Sequence, residues 1–255
     1  MGSMAEEQTD SFKVLAINGS PRADRGATDI VVRRFLSGAE SAGASVEVLY
    51  PAKMKIAHCV GCLNCWFKTP GVCRHKDDMP SLIGRIGEAD LVVFASPVYV
   101  DGMTGQMKKM FDRFVSYAEP FLIFEGKRTY HPGRVSRHMS AVVISVCGFP
   151  EREHFQAISL HFKRIFQNMH AELLGEFYFP ASSMFVSNPD AVAPQFEALE
   201  KAGLEAAENG NISPEIIEAA NREYVLDPRA FGEQINELFH DLRRYYGAEQ
   251  VERMS

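Results

Sequence analysis

The 255-residue chain has no apolar run near the roughly 20 residues that a membrane-spanning helix needs; its longest apolar stretches are strand-sized. It has no Lys/Arg block, and 27 basic residues are spread among 33 acidic ones for a formal net charge of −6. Neither nucleic acid nor an anionic membrane fits as the main partner of such a surface. No secretory apolar segment follows the N-terminus, which predicts a cytoplasmic protein. Met1–Met4 (MGSM) reads as an expression scar before a second start, and Glu6 stands where a myristoylation signal wants Ser or Thr. Residues 1–11 are set aside as a disordered N-terminus. Internal repeats, low-complexity tracts, a GxGxxG fingerprint, a Walker loop and an HExxH pair are all missing, and Ser20 lacks the context of a nucleophile elbow. These gaps remove the dinucleotide-fingerprint, nucleotide-hydrolysis, zinc-protease and serine-hydrolase readings.

What is present is the raw material of a packed core: 46% hydrophobic residues against 24% charged. The apolar runs Phe12–Gly19, Val46–Tyr50, Asp90–Ser96, Ser140–Cys147 and 172–180 read as strands. Between them lie helical patterns at 26–42, from Pro80, at 104–117 and at 153–169. Strand–helix alternation predicts an α/β doubly wound five-stranded parallel sheet, flavodoxin-like, of order 2-1-3-4-5, over residues 12–181. Residues 53–79 form a cysteine-bearing loop. Residues 118–137 break the rhythm with Pro120, Gly126, Pro132 and Gly133 and read as a surface excursion. Residues 182–255 read as a helical C-terminal extension, with Ser213-Pro214 and Asp227-Pro228 as helix starts. Its last helix carries Phe231, Ile235, Leu238, Phe239, Leu242 and Tyr246 on one face. That stripe needs a partner, either this domain or another subunit.

In a doubly wound sheet, ligands sit at the carboxyl ends of the strands. Three loops qualify. The first is Asn18–Thr28, where Ser20, Arg22, Gly26, Ala27 and Thr28 surround a helix N-terminus able to hold a phosphate; the plain alternative is a strand–helix turn. The second, Ser96–Thr104, offers Pro97, Val98, Tyr99, Gly102 and Met103 to a flat ring. The third offers Cys147, Gly148 and Phe149, with Cys147 read as a buried strand-end thiol rather than a nucleophile. One phosphate grip and two ring-contacting loops describe an FMN site.

Residues 12–117 resemble the NAD(P)H-dependent FMN reductases and multimeric-flavodoxin quinone reductases. The matching features are GSPR followed by Gly26 and Thr28, SPVYVDGM at Ser96–Met103, and KMFDR at Lys109–Arg113. The resemblance implies that Ser20, Arg22 and Thr28 hold the FMN phosphate. It also implies that Pro97, Val98, Tyr99 and Gly102 contact the isoalloxazine, with Gly148 nearby. It implies NAD(P)H as co-substrate and a homodimer or homotetramer in which a second subunit completes the pocket. Residues 118–137 and everything after 181 lie outside the match.

Four of the five cysteines, Cys59, Cys62, Cys65 and Cys73, fall in the loop after the second strand. Two x2 steps and a fourth cysteine across the Pro70-Gly71 turn suit a [4Fe–4S] cluster, and the spacing is similar to that of iron-sulfur flavoproteins of the same wider family. Three other readings stay open: unmetallated cysteines that shape a pocket, structural zinc, or a Cys62–Cys65 redox pair. Trp66, Phe67 and Lys68 crowd Cys65. Asp77 and Asp78 read as a helix-start charge pair, and the topology places the loop near the flavin edge.

The expected function is an enzyme that passes electrons from NAD(P)H through FMN to a quinone, nitroaromatic or similar small acceptor. Flavin N5 carries the chemistry, and amides of the 97–104 loop steady the ring's N1/O2 edge. Two alternatives differ in class. One is an electron-transfer module receiving single electrons from a ferredoxin-like partner through the cluster. The other is a non-catalytic scaffold that senses a nucleotide or metal and whose C-terminal helices form the interface.

Overall fold

The structure is a computed structural model that describes residues 11–134 and 138–247. In chain order its elements are β1 (Lys13–Asn18), α1 (Ala27–Ser41), β2 (Ser45–Leu49), α2 (Asn64–Phe67), α3 (Met79–Glu88), β3 (Leu91–Pro97) and α4 (Gly105–Asp112). There follow β4 (Ile123–Glu125), β5 (Arg128–Tyr130), β6 (Ser140–Val146), α5 (Gln156–Met169), β7 (Glu172–Phe179), α6 (Ser182–Ser187), α7 (Ala193–Asn209), α8 (Pro214–Ala220) and α9 (Pro228–Tyr245).

The main sheet runs β2-β1-β3-β6-β7, and every pairing in it is parallel. Counted among themselves its five strands stand in the order 2-1-3-4-5, the flavodoxin-like order expected from the sequence. β3 is buried along its whole length, the mark of a central parallel strand covered on both faces. Alternate residues serve the two faces. Val14, Ala16, Val93 and Ile144 face α1, α7 and α8, while Leu15, Ile17, Phe94 and Val143 face α3, α4 and α5.

Three local features depart from the sequence pattern. The helix expected over 104–117 is α-helical only to Asp112 and continues as a 3₁₀ turn, Arg113–Tyr117. The excursion contains a two-stranded antiparallel hairpin, β4–β5, that turns at Gly126 with φ +58°; the part of the excursion at 135–137 lies outside the described residues. Asp227 caps α9 by accepting from the Ala230 amide at 2.9 Å, whereas Ser213 does not cap α8 with its side chain.

The helices after β7 divide by packing. Phe185, Phe196, Leu199, Ala202 and Ile212 join the same buried cluster as α1 and the sheet, with Phe196 5.6 Å from Phe179 ring to ring. α9 has no buried residue; its Leu238, Phe239 and Leu242 are exposed, as is Tyr246 just after it.

Candidate functional site

The three loops meet along the carboxyl edge of β1, β3 and β6. Gly19 donates its amide to Ala95 O at 2.7 Å, and Thr104 Oγ1 donates to Gly19 O at 2.6 Å, tying the first loop to the second. Val98 donates to Val146 O at 2.9 Å, tying the second to the end of β6. Cys147 donates to Phe179 O at 3.1 Å, and Ser182 to Cys147 O at 2.8 Å, fixing the third loop to β7 and α6.

In the first loop Asn18 Oδ1 accepts from the Ser20 amide at 3.0 Å, and Ser20 Oγ accepts from the Arg22 amide at 3.2 Å. Ser20 and Thr28 are buried and Arg22 is exposed, so its guanidinium is free to swing over the turn. Gly26 stands extended at the N-cap of α1 with no side-chain cap on that helix end. A Cβ there would fall 2.6 Å from Ser20 Oγ and fill the hollow in front of the first amides. Asp29, in the same first turn, would repel an anion if it were unpartnered. Instead it accepts from Tyr50 OH at 2.8 Å, Asn18 Nδ2 at 3.2 Å and Arg33 Nε at 3.4 Å. A hollow lined by amides and a serine, with a free arginine beside it and the local carboxylate occupied, fits a phosphate group.

In the second loop, Tyr99 and Gly102 exchange backbone bonds of 2.9 and 3.2 Å around Val100 and Asp101, whose φ angles are +48° and +57°. Two left-handed central residues make this a type I′ geometry. Gly102 therefore closes the turn with its amide rather than presenting it outward. Tyr99 and Val100 stand out at the tip, while Met103 turns down into the core beside Met107.

In the third loop Cys147 Sγ accepts from the Phe149 amide at 3.2 Å and is buried. Burial pushes its thiol pKa up, which disfavours the nucleophilic thiolate. A Cβ on Gly148 would meet nothing within 4 Å, and Phe149 stacks on His154 at 4.4 Å. His154 lies 3.6 Å from both Asp101 and Glu151, bridging the second and third loops. Scattered histidines give no spacing signal, so the sequence did not single it out.

The cysteines gather elsewhere. Cys59, Cys62, Cys65 and Cys73 all line one cavity of about 350 Å³, together with His75, Asp112, Arg113 and Val115. Burial pushes the Cys65 thiol pKa up, and its three neighbouring thiols add to that. None of the three carboxyl-edge loops lines this cavity. It sits at the far end of α4, about 13 Å by helical rise from Thr104. The reason is the course of the loop after β2. Lys55 and Ala57 donate to Asp78 and Asp77 at 2.7 and 2.9 Å, which draws the chain down beside α3. Asp77 is also the buried partner of Arg113, at 2.6 Å. Burial opposes its charge, yet the Arg113 guanidinium and the Ala57 and Met79 amides hold its carboxyl down at about 2. Asp77 keeps its helix-start role, accepting from the Met79 amide at 3.2 Å, and adds to it a long-range ion pair. Trp66, expected to crowd or shield Cys65, donates Nε1–H to Val115 O at 2.8 Å, with its ring tilted against His131 at 4.9 Å. Arg134 donates to Cys65 O at 3.3 Å, so the excursion clasps the cysteine loop.

The sequence profile described as NADPH-dependent FMN reductase matches residues 12–185. The chain belongs to that family. Among its relatives, an iron-sulfur flavoprotein of Methanocaldococcus jannaschii is 36% identical over 102 residues, 40% of this chain and 51% of its own. An iron-sulfur flavoprotein of Archaeoglobus fulgidus is 38% identical over 106 residues, 42% of this chain and 47% of its own. The chain thus spans about half the length of these relatives. Among solved structures, the NAD(P)H:quinone oxidoreductase from Methanothermobacter marburgensis superposes with a TM-score of 0.58 at 18% identity, over 80% of this chain and 98% of that one. That likeness establishes the flavodoxin-like fold of this FMN-reductase-family protein. Among the described residues no helix is long and apolar enough to cross a membrane.

Proposed function

We propose that this protein binds FMN along the carboxyl edge of its sheet and uses it to pass reducing equivalents from NAD(P)H to a small acceptor of the quinone or nitroaromatic kind. The observation that carries the reading is the line of three mutually bonded loops, with the Gly26 hollow at one end and the open Gly148 position at the other. FMN, when bound, supplies the hydride chemistry. Ser20, the amides of Ala27 and Thr28, and Arg22 would hold its phosphate. Pro97, Val98 and Tyr99 would lie along the ring, with Gly148 and Phe149 at its other side. The closed Tyr99–Gly102 turn keeps Tyr99 at an exposed tip, where its ring can flank a flat ligand. The unpartnered stripe of α9 supports a homo-oligomer.

A second reading concerns the cysteines. We propose that Cys59, Cys62, Cys65 and Cys73 hold a [4Fe–4S] cluster, which supplies one-electron chemistry. Ringing one cavity suits a group with several irons and sulfides. Thiolates on a single zinc ion would sit about 3.8 Å apart around one point, by Zn–S geometry. Among the described residues no three His, Cys, Asp or Glu side chains gather around such a point. The relatives named iron-sulfur flavoproteins support this reading too.

The experiment is an anaerobic visible spectrum of purified protein with iron and acid-labile sulfide assays, followed by NAD(P)H addition. Flavin bands bleached by NAD(P)H support the reductase. Near-stoichiometric iron and sulfide assign the cluster; bleaching only through a reduced ferredoxin would recast the protein as an electron-transfer module. No uptake of offered FMN overturns the reductase reading.

A further inference from the structure

The wall of the cysteine cavity contains a cation with an idle donor. Arg113 is 1% exposed, yet it lines the cavity. Its Nη1 donates to Asp77 at 2.6 Å and to Ala57 O at 2.9 Å, and its Nη2 to Asp77 at 3.2 Å. Its Nε–H is buried with no acceptor at full hydrogen-bond geometry, and so is Nε2 of His75 on the same cavity wall. Among the described residues only one other buried side-chain polar atom, Gln195 Oε1, shares that condition. Two of the three orphans therefore line a single cavity that also holds four thiols.

Buried donors are rarely left without an acceptor, and a buried cation makes such a vacancy costly. The cavity offers sulfur as the acceptor. The Cys73 side chain is already a hydrogen-bonding and electrostatic neighbour of the guanidinium. Asp77 balances the Arg113 charge and clamps the planar head through Nη1 and Nη2, which leaves Nε as its unused donor.

On the reading that the four cysteines hold a cluster, we infer that Arg113 donates its Nε–H to a sulfur of that group and raises its reduction potential, with His75 Nε2 as a second donor on the same wall. Hydrogen bonds to cluster sulfurs and fixed positive charge both favour the reduced, more negative state. Asp77 acts through Arg113 and is a positioning residue: it holds the guanidinium plane so that Nε, not Nη, faces the sulfurs.

The test uses the iron-loaded full-length protein. Arginine labelled with ¹⁵N at its guanidino nitrogens is incorporated in an Arg74→Gln, Arg134→Gln background, because Arg74 also lines the cavity and Arg134 bonds to Cys65 O. The dithionite-reduced cluster is then examined by pulsed EPR. The expected result is a resolved ¹⁵N coupling. In parallel, Arg113→Lys keeps the charge and removes the planar Nε donor. Its cluster potential should fall and its iron should pass to a chelator several-fold faster, with the FMN potential unchanged. An iron-loaded protein without ¹⁵N coupling, or an Arg113→Lys cluster at the wild-type potential, overturns the inference. Should Arg113→Lys fail to fold, the ¹⁵N coupling decides alone. A wild-type protein that takes up no iron on reconstitution overturns the cluster reading itself, and the two failures are told apart by the iron assay.

Discussion

Gly38 of α1 and Gly203 of α7 lie against each other's helix backbone. A Cβ at 38 would fall 1.8 Å from Glu200 O, and one at 203 would fall 1.9 Å from Phe35 O. The two helices touch main chain to main chain, and this lets α7 close the face of the sheet that α1 leaves open. The segment beyond the family match is thereby made part of the core.

Gly203→Ala should therefore force the helices apart. The expected cost is about 3 kcal/mol, the upper range for overpacking, or a melting point lower by roughly 6–12 °C for a chain of this size. Gly84→Ala in α3 is the control. Its Cβ would meet nothing within 4 Å, and the helix propensity of alanine should raise stability by up to about 1 kcal/mol. Differential scanning calorimetry on both variants checks the pair. Equal melting points would show that α7 is not packed as described.

Arg22 is exposed beside the Gly26 hollow and belongs to the phosphate end of the proposed flavin site. Arg22→Ala should weaken FMN binding about tenfold, a charge-assisted bond reduced by solvent screening. It should leave riboflavin, which lacks the phosphate, unaffected. Fluorescence-quenching titrations with both flavins measure the difference. Parallel losses for FMN and riboflavin would place Arg22 on the ring instead.

Asp77 titrates at about 2 in the fold against an ordinary value of 3.8. A depressed carboxylate contributes stability that is present above its unfolded value and lost as pH falls through the folded one. The contribution is on the order of 2 kcal/mol and should disappear between about pH 4 and pH 2. Asp77→Asn should be less stable by about 3–5 kcal/mol at neutral pH, since Arg113 stays buried without its partner. It should also show a flatter stability profile across that acid window. Urea unfolding at several pH values reads both effects, and an unchanged acid slope would remove Asp77 as its source.

The sheet and its order were legible because apolar runs such as Leu91–Ser96 are strand-sized and separated by helical stripes. The three edge loops were legible because position at a strand end is topological, not chemical. What escaped was set by tertiary partners. Asp77 looks like any acid at a helix start until Arg113, 36 positions later, is folded against it. Nothing local shows that Val100 and Asp101 take left-handed angles, so the tight turn that Gly102 closes was not legible. The bonds from Lys55 and Ala57 to the Asp77–Asp78 pair, which hold the cysteine cavity at the other end of α4, join residues 23 and 20 positions apart and leave no local signal.

Thr104 joins the two halves of the proposed flavin site. Its hydroxyl donates to Gly19 O at 2.6 Å and accepts from the Met107 amide at 3.3 Å, while its own amide donates to Ser96 Oγ at 3.1 Å. Thr104→Val keeps the shape and removes the hydroxyl. Gly19 O then loses its donor in a buried place, and α4 loses its cap, at about 1–3 kcal/mol for the two together. The first loop should loosen from the second, and the ring and phosphate subsites should lose register with each other. Unlike Arg22→Ala, Thr104→Val should thus weaken FMN and riboflavin alike, because the defect lies in the spacing of the loops and not in one phosphate contact. A Thr104→Ser variant keeps the hydroxyl and should recover most of the affinity for both flavins. If Thr104→Val and Thr104→Ser bound both flavins equally well, the bond between the loops would have no part in forming the site.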